Sequence, residues 1–212
     1  PPPPPPPPFQ AEDGIRDFLL SLVGSEMCIR DRAAEAVSRG AEVTLVTTVD
    51  LPPPPGSDVV EVETAAQMQS AMEKAASDHD VVVMSAAVAD FRPAAVAENK
   101  LKKGDGVPEI LLEPTPDILA GLGASKPDGQ ILVGFAAETD DLRSNAAAKV
   151  ARKNLDLIVA NDVSAPDVGF AHDTNAVTLM RPDAEPVEID LASKREVARA
   201  VIDAIVDIRN QH

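Results

Sequence analysis

Four predominantly apolar runs set the architecture: AEVTLVTTV at 41–49, rich in β-branched residues, VVVMSA at 81–86, ILVGFA at 131–136 and LDLIVAN at 155–161. A strand with one wet face alternates apolar and polar residues, so apolar runs without that alternation mark strands covered on both faces, as in parallel sheets. Between the runs the period is that of a helix. AAEAVSRG at 33–40 reads as a helix end closed by Gly40. VVEVE at 59–63 is a short strand, after which Thr64 caps a helix with Met68, Met72 and Ala75 on one face. EILLE at 109–113 reads as a strand, followed by Thr115 as N-cap, Pro116 at the first helical position and Asp117 in an acidic first turn. A helix over about 140–153 precedes the last buried run. NAVTLMR at 175–181 and PVEIDLA at 186–192 form a hairpin around Pro182 and Asp183, and residues 193–208 are a closing helix. The fold class is α/β: a three-layer, open, mostly parallel sheet with helices on both faces and a C-terminal antiparallel hairpin.

Such sheets bind ligands at the carboxyl ends of their strands. That rule singles out four turns: SAAVADF after the run at 81, EPTPD after 109, GFAAETDD after 131 and ANDV after 155. Composition removes many chemistries that these turns might carry. The net charge of −16 argues against nucleic acid and against anionic membranes as partners. Cys28 is the one cysteine, and His79, His172 and His212 are far apart, so no zinc pattern or disulfide framework is present. The chain has no Tyr and no Trp, which excludes a Tyr-Lys dehydrogenase dyad. GxSxG, GxGxxG and the GxxxxGK[ST] phosphate loop are missing as well. No apolar run approaches the roughly 18 residues of a membrane span, so a soluble, cytoplasmic protein is expected.

Lysine placement is informative in so acidic a chain. Five of the eight lysines fall in two groups, Lys100, Lys102 and Lys103 in one, Lys149 and Lys153 in the other. Lys149 and Lys153 are i,i+4 neighbours with Arg152 adjacent, an arrangement that costs roughly 0.2–0.5 kcal/mol in an isolated helix unless an anion compensates. Two such groups beside strand-end turns point to a polyanion site; each taken alone is also compatible with a solvated basic face. The stretch from Ala86 to Gly106 reads as a flap, with Lys100 as a mobile charge for phosphate. Asp90 suits ribose hydroxyls or a Mg²⁺ ion, or is a turn residue. Phe135, next to Gly134, either stacks on a flat ligand or plugs the sheet edge.

SAAVADFRP, the K-x-K-K tip, TPDI, VGFAAET and ARKNLDLIVANDV, in this order and spacing, resemble the phosphopantothenoylcysteine synthetase (phosphopantothenate-cysteine ligase) domain of bacterial bifunctional coenzyme A biosynthesis proteins. The resemblance runs from about Ala33 to Ile208. It implies a Rossmann-like fold and a CTP-dependent ligation: the carboxylate of 4′-phosphopantothenate attacks the α-phosphate of CTP, and the amine of cysteine then displaces CMP from the acyl-cytidylate. Mg²⁺ would offset the triphosphate charge. By resemblance Met84, Ser85 and Ala86 face the cytosine and Asp90 contacts the nucleotide. Lys100 is the flap lysine on the phosphates. Pro116, Asp117, Ile118, Leu119 and Phe135 line the pocket, and Lys149 and Lys153 complete the triphosphate cradle. The resemblance also implies a homodimer built through the 175–192 hairpin and the strands near the flap, and fusion in relatives to a flavin-dependent decarboxylase. Alternative readings are a non-catalytic nucleotide-binding or dimerisation module and an NAD(P)-dependent oxidoreductase on the same type of sheet.

The N-terminus departs from this pattern. Residues 1–8 are all proline, and Phe9–Arg32 contains QAEDGIRD and SEMCIRDR, which resemble translated sequencing-adapter read-through. Ile15, Phe18, Leu19, Leu22 and Val23 also fall at helical spacing. Residues 1–32 are therefore expected to be a non-native or disordered extension, and 33–212 an N-terminally truncated ligase domain. Members of the family open with a strand and an N-x-SSG-x-MG turn that binds phosphopantothenate. Both are expected to be missing here.

Overall fold

A computed structural model describes residues 17–22, 26–49, 51–95, 110–138, 142–162, 174–182 and 184–211. The elements are β1 (Asp17–Leu22), α1 (Glu26–Ser38), β2 (Glu42–Thr47), β3 (Ser57–Glu61), α2 (Ala65–Ala76), β4 (Val81–Met84), β5 (Phe91–Pro93), β6 (Leu112–Pro114), α3 (Ile118–Ala124), β7 (Ile131–Glu138), α4 (Leu142–Lys153), β8 (Leu157–Asp162), β9 (Thr174–Met180), β10 (Val187–Ser193) and α5 (Lys194–Arg209). Eight strands form one sheet in the order β3-β2-β1-β4-β7-β8-β9-β10. It is parallel from β3 to β8, and β9 and β10 add as an antiparallel hairpin.

Alternation along the buried strands explains the three layers. Val81, Val83, Ile131, Val133, Leu157 and Val159 face a core shared with α1 and α5. Their neighbours Val82, Met84, Leu132, Ile158 and Ala160 face a second core with α2, α3 and α4. The continuous apolar runs are needed because each strand supplies both cores. Capping sets the helix starts: Thr64 and Gln67 close a capping box on α2, and Ser193 and Glu196 close one on α5. Gly40, with φ +95°, ends the turn after α1 in the left-handed region.

Charge is also buried within one helical layer. Arg39 and Glu35, 3% and 4% exposed, pair at 2.9 Å along α1. Arg39 reaches Asp203 of α5 at 2.6 Å, and Arg199 approaches Glu35 at 3.8 Å. The network fastens the two helices of one layer.

Three expectations need correction. The first strand is not missing: residues 17–22 form β1, in register with both β2 and β4. The same residues are therefore not helical, and α1 begins at Glu26, so a boundary at 32/33 falls inside a helix. FLLSL is short, and a short apolar run fits a strand or a buried helix equally by periodicity; the slot between β2 and β4 decides for the strand. The expected absence of the phosphopantothenate turn bears on residues 23–25, outside the described residues. Second, the strand expected at 109–113 is β6, at 112–114, and it pairs with β5 in a separate two-stranded ribbon rather than in the main sheet. Third, the N-cap before α3 is Asp117, not Thr115, because the Asp117 carboxylate accepts the Ala120 N–H at 3.1 Å.

Candidate functional site

The strand order reverses between β1 and β4: the chain builds outward through β2 and β3 on one side, then returns through β4 to β7 and β8 on the other. Helices leave the sheet in opposite directions at such a point and open a crevice at the carboxyl ends of the strands. Beside it lies a cleft of about 160 Å³. Its floor is Met84 and Ala86 at the end of β4 with Phe135 of β7, one wall is Asp90, and the other is Pro116 to Leu119 with Lys153. The structure thus brings together nine of the residues singled out by sequence: Met84, Ala86, Asp90, Pro116, Asp117, Ile118, Leu119, Phe135 and Lys153. Ser85 sits half-buried on the same strand end, and Lys149 lies one turn back along α4, not among the lining residues. Lys100, Lys102 and Lys103 lie outside the described residues.

Each wall has a local cause. Asp117 begins α3 by capping it, which turns residues 116–119 toward the cleft. Lys153, the last residue of α4, donates to Asp117 Oδ1 at 3.0 Å and its ammonium lies 2.8 Å from Oδ2. Burial pushes the Asp117 carboxyl up, but the Lys153 hydrogen bond, the Ala120 N–H and the charges of Lys153 and Arg152 outweigh it and leave the group below its ordinary value. The compensating anion expected beside Lys153 is, in this structure, that carboxylate. Gly134 lets Leu119 lie against β7: a Cβ there would stand 2.9 Å from side-chain atoms of Leu119 and Leu155.

Sequence reasoning missed Arg32. Its side chain is 4% exposed, its guanidinium lies 3.9 Å from the centroid of the Phe135 ring, and Nη1 donates to Ser85 Oγ at 3.1 Å. A face of Phe135 expected to plug the sheet or meet a flat ligand thus carries a cation. Arg32 lies at the end of the segment 9–32, whose adapter-like composition points away from any functional role. No group of three or more His, Cys, Asp or Glu that would hold a metal occurs among the described residues. Asp90 is exposed and supplies a hard oxygen donor on the cleft wall, which fits a Mg²⁺ held mainly by phosphates and water.

The family model for the DNA/pantothenate metabolism flavoprotein C-terminal domain matches residues 30–208. The chain belongs to this family. It is 44% identical over 181 residues to the coenzyme A biosynthesis bifunctional protein CoaBC of Bacillus subtilis, a match that covers 84% of this chain and 44% of the relative. The chain spans about half the length or less of the curated relatives it matches. Among solved structures, the C-terminal domain of a CoaBC protein superimposes with a TM-score of 0.77 at 35% identity, covering 93% of this chain and 98% of that one. A Cab2 variant in complex with phosphopantothenate-cysteine has a TM-score of 0.71, covering 93% of this chain and 88% of that chain. At 16% identity that likeness speaks for the fold alone. In this family the expected three-layer, mostly parallel sheet with its antiparallel hairpin is the observed architecture. No helix among the described residues is long and apolar enough to cross a membrane.

Proposed function

We propose that the domain ligates 4′-phosphopantothenate to cysteine, using CTP, as a step of coenzyme A biosynthesis in the cytoplasm. The observation that carries the reading is the cleft at the strand-order reversal, in a chain 44% identical to a bifunctional coenzyme A biosynthesis protein. The Lys153 ammonium, 17% exposed at the cleft rim, would pair with the nucleotide phosphates once they displace Asp117. Lys149, one turn away, adds to the same positive field, and Lys100 is assigned to the flap by resemblance. The apolar floor at Met84 and Ala86 would take the base, with backbone groups there to read its edge. Asp90 would hold ribose hydroxyls or a Mg²⁺ ion, which when bound offsets triphosphate charge.

In this chemistry a carboxylate oxygen of phosphopantothenate bonds to the α-phosphorus and pyrophosphate leaves. The cysteine nitrogen then bonds to the acyl carbon, CMP leaves and the amine proton passes to solvent. A homodimer is part of the proposal. Phe91, Ile110, Leu111 and Leu112 on and beside the β5–β6 ribbon are 59–69% exposed, and Val187 and Leu191 on β10 are 55% and 53% exposed, in the two regions assigned to the dimer contact.

The test is a calorimetric and thermal-shift titration of the full chain with CTP, ATP and NADH in Mg²⁺, followed by a product assay with 4′-phosphopantothenate and cysteine. CTP is expected to bind and stabilise more than the others, with the ligated product formed. Lys153→Ala is expected to weaken CTP binding and to flatten its salt dependence. Binding of NADH without CTP would support an oxidoreductase instead, and CTP binding without product would support a nucleotide-binding module.

A further inference from the structure

The end of α4 is fixed by residues that do not line the cleft. A Cβ built on Gly123 would stand 1.9 Å from the carbonyl oxygen of Lys153 and 2.8 Å from its carbonyl carbon, so α3 meets the last turn of α4 backbone to backbone. Asn154 follows in the left-handed region, φ +51°, and its Nδ2 donates to the Gly123 carbonyl at 3.0 Å. Lys126 Nζ donates to the Asn154 carbonyl at 2.9 Å and to both oxygens of Asp156 at 2.9 and 2.8 Å. Asp156 in turn accepts the Leu132 N–H of β7 at 2.6 Å. A continuous set of bonds thus joins the three elements that supply Asp117, Lys153 and Phe135.

We propose that Asn154, with Gly123, is a positioning residue: it locks the end of α4 onto α3 and so holds the Lys153 ammonium at the cleft rim, where a polyphosphate binds. The polyphosphate part rests on the function proposed above. The physical need is plain, because a lysine carries large rotamer freedom and a point charge is useful only where its backbone origin is fixed. Asparagine suits the position twice, since it tolerates the left-handed backbone and offers an amide donor.

The experiment uses the full chain and four forms: wild type, Asn154→Gly, Lys153→Ala and the double variant. Glycine tolerates the same left-handed backbone conformation and removes the amide together with its Cβ. CTP and inorganic triphosphate are titrated by calorimetry, and the Asp117 carboxyl is titrated by carbon-detected NMR without nucleotide. Asn154→Gly is expected to weaken both ligands by about three- to tenfold, the scale of one lost hydrogen bond. In the Lys153→Ala background the same change is expected to have an effect of less than about twofold, because the two residues act as one unit. Asp117 is expected to titrate closer to its ordinary value in Asn154→Gly. Equal weakening in both backgrounds, or an unmoved Asp117 titration, overturns the positioning role. If wild type binds neither ligand, or Lys153→Ala binds them as wild type does, the nucleotide reading fails, and the Asp117 titration alone then decides whether Asn154 positions Lys153.

Discussion

Replacing Glu35 by alanine tests whether buried charge fastens α1 to α5. Glu35 Oε1 accepts from Arg39 Nε at 3.0 Å and from Nη2 at 2.9 Å, and both side chains are almost fully buried. The variant removes two charge-assisted bonds and leaves the Arg39 guanidinium in a dry interface, a change that costs about 3–5 kcal/mol where no other partner exists. Asp203 remains, 2.6 Å away but 54% exposed and so partly screened. Alanine is also the better helix former, which returns a few tenths of a kcal/mol. The expected loss is therefore about 3 kcal/mol, at the lower end of that range, and for a domain of this size it lowers Tm by roughly 6–12 °C. Urea unfolding followed by circular dichroism measures it, with an unchanged slope as the check that both variants unfold the same way. Arg39→Met together with Glu35→Ala is expected to recover part of the loss by removing the stranded cation. A loss under about 1 kcal/mol for Glu35→Ala is what an exposed pair gives, like Arg92–Glu113 with side chains 49% and 43% exposed. That result would refute the reasoning.

Two further outcomes follow from the same structure. Met72→Ala, at a side chain with no exposure between α2 and the sheet, is expected to cost about 2–5 kcal/mol by urea unfolding. Asp117 is held below the ordinary carboxyl value of 3.8, so its contribution is present above that pH and is lost as pH falls through the lower folded value. A urea midpoint measured from pH 6 downward is expected to drop less steeply in Asp117→Asn than in wild type, and parallel curves would count against the Lys153–Asp117 pair.

The sheet was legible because buried parallel strands need apolar residues on both faces, and the runs at 41–49, 81–86, 131–136 and 155–161 meet that need directly. The cleft was legible for a related reason: a doubly wound sheet offers its ligand one edge, and the distinctive turns all lie there. Thr115 misled because a threonine before Pro-Asp satisfies the local capping rule, whereas the cap is decided by which oxygen reaches Ala120. β6 misled because three residues of ribbon look like the start of a core strand until the exposure of Leu111 and Leu112, 69% and 59%, is known. Arg32 and Asn154 were not legible at all. A cation that stacks on a phenylalanine 103 positions away, or an asparagine whose amide bonds to a glycine in another helix, leaves no trace in local spacing.

The place of β1 has a mechanical meaning. It bonds to β2 on one side and to β4 on the other, and among the described residues no other strand spans those two. The eight strands are therefore two blocks, one of two strands and one of five, closed by a six-residue seam. Forces that separate the blocks must shear that seam and also part α1 from α5 and α2 from α3, and the candidate cleft lies beside the top of the seam. The amide protons of residues 17–22 are the natural gauge of whether the molecule opens as one body or as two.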